Sequence, residues 1–427
     1  MQARLGNILT IFRNNKKIIE NYFFMTVLLA LNSLFALLIY PYLIRTLGKE
    51  MYGLYIFATT ITNYFICFIE FGFDMHGARK IAENSTDTRI KSEVMSKVFT
   101  AKLYIECISI GIFAFLLQTI DVLQSYHSIY WICFSITLVN ILFPSWYFQG
   151  IQKMRIVTYI QLVFKLLSLP FIFFLVKKPE DISLFAFIMS CSTIMGAFTA
   201  FLYLLKKEKI RIYIVSIQSV WRYIKEAQYF FYANFLNILK NQSLNIIIGA
   251  RFGMTDLAVY DLATKITMVP RVFLTSINAA LFPKIIQDLN FSKIKTILKI
   301  ERLIGVLAIL FIVLFGNIGI NILSAGQQMQ QAYPIAIILS FTVYAFLQTG
   351  AYSSLVLIPK RMDRYILWNL IVAFFSLVVY LIIGFAITSS ILLLPIALVL
   401  SAFTEIFYLQ YIIKKKKLLY ENIIKTT

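Results

Sequence analysis

Apolar residues in this chain run in long, nearly unbroken stretches separated by short polar connections. A helix needs roughly 20 apolar residues to cross about 30 Å of hydrocarbon. Stretches of that length lie at 22–44, 54–73, 98–120, 128–148, 156–176, 182–205, 228–250, 260–284, 298–323, 332–356, 365–388 and 390–413. The eighth is the most polar, since it carries Lys265, Arg271 and Asn278. The pattern predicts an all-α integral membrane protein of about twelve transmembrane helices.

Composition agrees. Of 427 residues, 60% are apolar and 14% charged, against about 45–50% and 25% in soluble domains. The N-terminal apolar run is too long, and has too many successors, to be a cleaved signal peptide. The four cysteines (Cys67, Cys107, Cys133 and Cys191) sit in apolar segments at wide spacings, which fits neither a disulfide framework nor a zinc site. His76 and His127 cannot complete a metal site either, so no metal and no cofactor is expected.

The distribution of charge orients the spans. Of the 40 Lys and Arg, 29 fall on the side that holds the N-terminus, counting Lys284 and Lys299 at the ends of their spans, and five (Arg45, Lys49, Lys177, Lys178 and Arg251) fall on the other. Six more (Lys102, Lys165, Lys240, Lys265, Arg271 and Arg302) lie within spans. This is the positive-inside bias of a multi-pass inner-membrane protein with an even number of spans and both termini cytoplasmic. The net charge of +20 therefore reads as topology plus contact with anionic membrane lipids, and no nucleic-acid partner is called for.

The longest polar loop, 206–227, divides the spans six and six. The expected organisation is an N-terminal lobe over 1–205, a cytoplasmic linker over 206–227, and a C-terminal lobe over 228–427 ending in a basic cytoplasmic tail. An internal match supports the division. An offset of 205 residues brings Gly48 onto Gly253, Tyr55 onto Tyr260, Ala58 onto Ala263, Thr59 onto Thr264, Ile61 onto Ile266 and Thr62 onto Thr267. Asn32 likewise meets Asn237. Both copies start on the same side, as in carriers built from parallel repeats.

Polar residues recur on single faces of three spans. Asn234, Asn237, Asn241 and Asn245 fall within an arc of about 80° at 100° per residue, with Lys240 at its edge near mid-span. In the eighth span Asp261, Thr264, Lys265, Arg271, Thr275 and Asn278 occupy about 140° on the same geometry. In the fifth, Gln161, Lys165 and Ser168 share a face. A cation at mid-bilayer costs about 2.5–3.5 kcal/mol and so should face a polar interior. Two readings stay open. The asparagines bond between helices while the lysines pair with acids such as Asp261 or Glu405, or the cations line a wet cavity for an anionic, sugar-bearing substrate. On the second reading Lys165, Lys240, Lys265 and Arg271 bind substrate with Asn237 and Asn241. Arg45, at the outer end of the first span, is then either a substrate gate or an interfacial anchor. Glu70, Asp261 and Glu405 are the acids that could titrate in ion coupling. Lys102 and Glu106, one turn apart, are expected to pair locally.

There is no Walker-type phosphate loop, and the outer loops, about 5–15 residues long by the span boundaries, are too short to build a transferase site. Both features count against an enzyme.

Three strings carry a family resemblance. They are Tyr40-Pro41-Tyr42-Leu43-Ile44-Arg45-Thr46-Leu47-Gly48 followed by Tyr52-Gly53-Leu54-Tyr55; Glu70-Phe71-Gly72-Phe73 followed by Ala78-Arg79-Lys80-Ile81-Ala82; and Pro144-Ser145-Trp146-Tyr147-Phe148-Gln149-Gly150 followed by Lys153-Met154. In this order they resemble the Wzx family of O-antigen and capsule repeat-unit flippases, within the superfamily of the MATE exporters and the lipid II flippase. The resemblance is clearest over residues 20–160. It implies a V-shaped, MATE-like pair of six-helix lobes working by alternating access. The implied substrate is an undecaprenyl-pyrophosphate-linked oligosaccharide carried from the cytoplasmic to the periplasmic leaflet. A polysaccharide polymerase and a chain-length regulator are the implied protein partners. The rival readings are a MATE-type cation or drug antiporter, which predicts a carboxylate-lined cavity, and a membrane-embedded polysaccharide polymerase.

Overall fold

The protein, seen as a computed structural model, is described over residues 16–287 and 291–419. Side chains at 16–19, 22, 272–273, 275–287, 291–293 and 363 fall outside that description, and with them Thr275 and Asn278 of the eighth-span stripe. The described residues form helices and connecting turns. In chain order the helices are α1 (Lys16–Glu70), α2 (Phe73–Glu83), α3 (Thr88–Thr119), α4 (Asp121–Gln124), α5 (His127–Phe134), α6 (Thr137–Leu142), α7 (Ser145–Gly150), α8 (Met154–Leu175), α9 (Ile182–Lys206), α10 (Ile217–Arg251), α11 (Met254–Gln287), α12 (Phe291–Leu323), α13 (Ala332–Ala351), α14 (Asp363–Ile387) and α15 (Leu393–Lys415). A π-helical segment, Tyr352–Leu357, extends α13.

Among the described residues, nine helical stretches are long and apolar enough to cross a membrane. The first covers Phe23–Glu70, 48 residues, or about 72 Å at 1.5 Å per residue, twice the thickness of a bilayer core. Gly48 breaks it, with φ 75° and ψ 169°, a backbone conformation that side chains with a Cβ avoid. Gly253, its partner in the internal repeat, also has positive φ, 99°, and lies between α10 and α11. These two helices have 35 and 34 residues and carry the polar stripes.

The stretch expected as the fourth span is broken into α5, α6 and α7. Its own hydroxyls bend it: Ser135 Oγ donates to Ile132 O at 2.6 Å, and Thr137 Oγ1 shares its one proton between Phe134 O at 2.7 Å and Glu106 Oε1 at 2.6 Å. Such back-bonding competes with the helical ladder. Pro144, which has no amide hydrogen, then separates α6 from α7. Many large apolar side chains face outward. Phe174 is 77% exposed, Leu314 68% and Ile387 80%, faces that suit lipid and would aggregate in water.

The helices form two compact units. One comprises the described chain up to Ala36 together with Ala58–Phe235; the other comprises Leu37–Phe57 and the chain from Leu236. In the first unit a hydroxyl ladder one turn apart on α3 ties down the segment after α9. Ser92 Oγ, Ser96 Oγ and Thr100 Oγ1 accept from the amides of Arg211, Tyr213 and Val215 at 3.2–3.3 Å. Val220, Tyr223 and Ala227 then bury against Phe73, Trp146 and Tyr147. In the second unit Gly53 lies so close to Met254 that a Cβ would stand 1.8 Å from the Met254 carbonyl oxygen, which only glycine permits.

Outside the spans, α2 is fastened to the start of α10 by His76, whose Nε2 lies 3.0 Å from Glu226 Oε2, while Lys80 Nζ is 3.4 Å from the same oxygen. Burial holds the His76 pKa below its ordinary value despite the neighbouring carboxylate. The unfolded chain therefore binds this proton more readily than the folded one. Stability is retained above about pH 6.5, the ordinary histidine value, and falls as pH drops below it. Thermal melting across that range should show the loss, and His76→Asn should flatten the dependence; an unchanged slope in the variant would refute this assignment.

Candidate functional site

In the second unit five helices converge on a small polar cluster. Lys240 of α10 pairs with Glu405 of α15, Nζ to Oε1, at 2.5 Å. Asn369 of α14 donates to the other carboxylate oxygen, Oε2, at 3.2 Å. The guanidinium of Arg271, on α11, lies 3.8 Å from the centroid of the Phe346 ring of α13, a cation–π contact. Glu405 is near enough for its charge to act on Arg271, yet Arg271 makes no ion pair among the described residues. A cavity of about 80 Å³ opens between these groups, lined also by Asn241, Thr342 and Thr349. At about 30 Å³ per water it has room for two or three waters. Two cations face one carboxylate here, so the pocket retains one uncompensated positive charge.

The asparagine stripe runs along one side. Asn241 Nδ2 donates to both the carbonyl and the side-chain oxygen of Asn237, at 2.8 and 2.9 Å. Both residues are exposed, and these bonds stay within α10.

Lys265 is compensated. Its Nζ is 2.7 Å from Asp261 Oδ2, one turn away on α11. The buried Tyr52 hydroxyl donates to the same oxygen at 2.9 Å, and the ammonium lies 5.4 Å from the centroid of the Tyr40 ring. Tyr40 and Tyr52 pack edge to face at 5.0 Å. The pairing alternative read from the sequence thus describes Lys240 and Lys265, whereas Arg271 and Lys165 carry charge without an acid. Removing the Tyr52 hydroxyl, as in Tyr52→Phe, should cost about 1.5 kcal/mol, the low end for a hydrogen bond to a charged group. Equilibrium unfolding in mixed micelles would measure it, and no change would mean that water replaces the hydroxyl.

In the first unit Lys165 of α8 donates to Asn32 Oδ1 and lies 5.2 Å from the Phe35 ring, with no ion pair among the described residues. Lys102 is fully buried. It pairs with Asp74 at 2.5 Å and donates to the Asn140 carbonyl at 2.9 Å. Glu106 instead accepts from Thr137 at 2.6 Å, which corrects the expected Lys102–Glu106 pair. Glu70 lies within the electrostatic reach of Asp74 and Lys102. Arg45 is exposed and makes no ion pair among the described residues.

Phe346, Asn369, Asn32 and Tyr52 complete these clusters and were not singled out as site residues in the sequence. Asn369 is signalled only as an amide inside an apolar run, and Tyr52 by its place in the first motif string.

Comparison with known proteins places the chain. It is 25% identical over 336 residues to a protein of Escherichia coli (strain K12) named "Putative O-antigen transporter", covering 77% of this chain and 80% of that one. Its fold matches an inward-facing MATE family transporter of the MOP superfamily, with TM-score 0.65 at 14% identity over 90% of this chain and 95% of that one. It also matches the lipid II flippase MurJ, with TM-score 0.64 at 13% identity over 91% and 87%. The chain is thus a multi-pass bacterial membrane protein with a MATE-like fold, and its relatives are named as transporters rather than enzymes. Residues 18–287, more than half the chain, match the family described as "Polysaccharide biosynthesis protein", and the chain belongs to it.

Proposed function

We propose that this protein is a flippase of the bacterial inner membrane. It moves an undecaprenyl-pyrophosphate-linked oligosaccharide, an O-antigen or capsule repeat unit, from the cytoplasmic to the periplasmic leaflet through twelve spans with both ends cytoplasmic. The observation that carries the reading is Arg271: a desolvated guanidinium without an acid, beside a lysine whose acid is shared. Such a group is expensive to hold in a bilayer unless a mobile anion periodically meets it. A pyrophosphate supplies charge-assisted acceptors of matching geometry for a guanidinium. The cavity beside Arg271 is too small for sugars or for a whole pyrophosphate, so it admits phosphate oxygens that reach the guanidinium from its mouth, and the polyprenyl tail remains in lipid. Within the same unit, Arg45 and the exposed amides of Asn237 and Asn241 supply further polar contacts, and Lys165 in the other unit is a separate cationic contact.

The ion pairs offer a way to couple transport to protons. Protonating Glu405 releases Lys240, which raises the positive charge of the pocket and favours an anion. By linkage, anion binding favours the same protonation. Asp261 with Lys265 and Glu70 beside Asp74 and Lys102 are the other acids in position for this. A MATE-type antiporter of cations is disfavoured because Glu405 and Asp261 are already occupied by lysines.

The test is complementation of a strain lacking its O-antigen flippase, together with counterflow of labelled lipid-linked oligosaccharide in proteoliposomes. Restored surface polysaccharide and protein-dependent movement of the label are expected. Efflux of an organic cation with no movement of the lipid-linked sugar would establish the antiporter instead.

A further inference from the structure

A second cavity in the second unit shares no lining residue with the Arg271 pocket. It lies between α12, the π-helical segment and α15, with a volume of about 510 Å³. Lys295, Lys299 and Arg302 line it from α12 at helical spacings of four and three residues, and Lys414 lines it from α15. No carboxylate among the described residues lines it. Lys299 and Arg302, one turn apart on α12, repel by a few tenths of a kcal/mol, a cost that an anion between them would remove.

The floor of the cavity has the hydrogen-bonding capacity of an anion site. Tyr352, buried at the junction of α13 and the π-helical segment, accepts from Arg302 Nη2 at 3.1 Å and from Gln410 Nε2 at 3.2 Å. A phenolic oxygen has two acceptor sites and one proton. With both acceptor sites taken, only the proton remains to be given, and the hydroxyl donates no hydrogen bond among the described residues. Arg302 is oriented by a second bond to Gln348 Oε1 at 3.3 Å. Lys299 and Lys414 are exposed at the rim and make no ion pair among the described residues. Leu298 and Ile413 provide apolar wall. The outward surface of the same helices continues as lipid-facing side chains, with Leu303 61%, Leu307 54% and Tyr411 57% exposed.

We propose that this cavity binds the phosphate headgroup of an anionic membrane lipid, whose acyl chains lie along the apolar outer faces of α12 and α15. A phosphate there takes the Tyr352 proton, the Arg302 fork and the two rim ammoniums together. The occupant is a lipid and not a free phosphate because the cavity opens beside a continuous apolar surface. Because the cavity bridges α12, the π-helical segment and α15, its occupant also fastens the cation-rich ends of these helices. The site is independent of the transported substrate and stands whatever that substrate is.

The test uses the whole protein, purified and assayed by native mass spectrometry and by thermal melting with added lipid. Phosphatidylglycerol is compared with phosphatidylcholine and with inorganic pyrophosphate as the free anion. Retention of phosphatidylglycerol over phosphatidylcholine, with a higher melting temperature, is expected. Each neutralised cation should weaken retention about fivefold, from roughly 1 kcal/mol per basic residue at the membrane surface. Lys299→Gln with Lys414→Gln changes two exposed residues and should leave the melting temperature in lipid-free detergent unchanged. Tyr352→Phe tests the buried donor. Equal retention of phosphatidylglycerol by the parent and by the Lys299/Lys414 variant would overturn the proposal. So would protection by pyrophosphate without retention of phosphatidylglycerol, since that assigns the cavity to a soluble anion. A Lys177→Gln, Lys178→Gln variant, altered at an exposed loop elsewhere, should retain lipid like the parent, and an equal loss there would show a mere charge-count effect.

Discussion

Lys240→Gln should destabilise the protein by about 3–5 kcal/mol, the usual cost of removing one partner from a buried ion pair. Glu405→Gln added to it should recover most of that loss. The reason is geometric. Glu405 is 5% exposed, and its two carboxylate oxygens are held by Lys240 at 2.5 Å and Asn369 at 3.2 Å. Without Lys240 the carboxylate keeps one neutral amide and the more distant charge of Arg271, in a medium that solvates an anion poorly. A glutamine at 405 carries no charge to strand and can still accept from Asn369. The double variant should therefore lie within about 1 kcal/mol of the parent, consistent with the small net gain of buried pairs over neutral replacements. Equilibrium unfolding in mixed micelles of the parent, both single variants and the double variant gives the coupling directly. A Lys240→Gln protein as stable as the parent would mean that the pair is solvated and structurally idle.

The partners in that pair explain what could and could not be read from the chain. The apolar stretches locate most helices, because crossing hydrocarbon leaves few alternatives to a long apolar helix. The break at Gly48 and its counterpart at Gly253 are marked by the repeat, and both have positive φ. The polar faces of α10 and α11 follow from 100° periodicity alone. What periodicity cannot supply is the identity of a partner on another helix. Lys240 and Glu405 are 165 residues apart, and nothing local in the sequence relates them. Proximity in sequence even misleads. Glu106 is one turn from Lys102, but the lysine turns to Asp74 and Glu106 to Thr137, because side chains one turn apart on a helix meet only when no better partner faces them. The broken helix over 127–150 was hidden for a similar reason. Its apolar content is that of a span, and the kinks come from single hydroxyls whose choice of acceptor depends on packing.

Arg271→Gln should reduce surface polysaccharide about tenfold to a hundredfold in a complemented flippase-null strain, with the protein still present in the membrane at its normal level. The range follows from the 1.5–3 kcal/mol typical of a hydrogen bond to a charged group, at 1.4 kcal/mol per tenfold. The side chain makes no ion pair among the described residues, and its main contact is with the Phe346 ring at 3.8 Å. Its removal therefore strands no buried acid as the removal of Lys240 does, and folding should be little affected. That separation of export from stability is the signature sought. Arg271→Lys keeps the charge but loses the planar fork that matches phosphate oxygens, so it should fall between glutamine and the parent. Phe346→Leu leaves the charge and loosens its orientation, and should weaken export less than Arg271→Gln does. Glu405→Gln in the Arg271→Gln background frees Lys240 and restores the positive charge of the pocket, so partial recovery of export is expected if the passenger is anionic. Normal polysaccharide in Arg271→Gln would remove this residue from the transport path. Equal failure of the lysine and glutamine variants, with no recovery through Glu405→Gln, would show that the shape of the guanidinium matters and its charge does not.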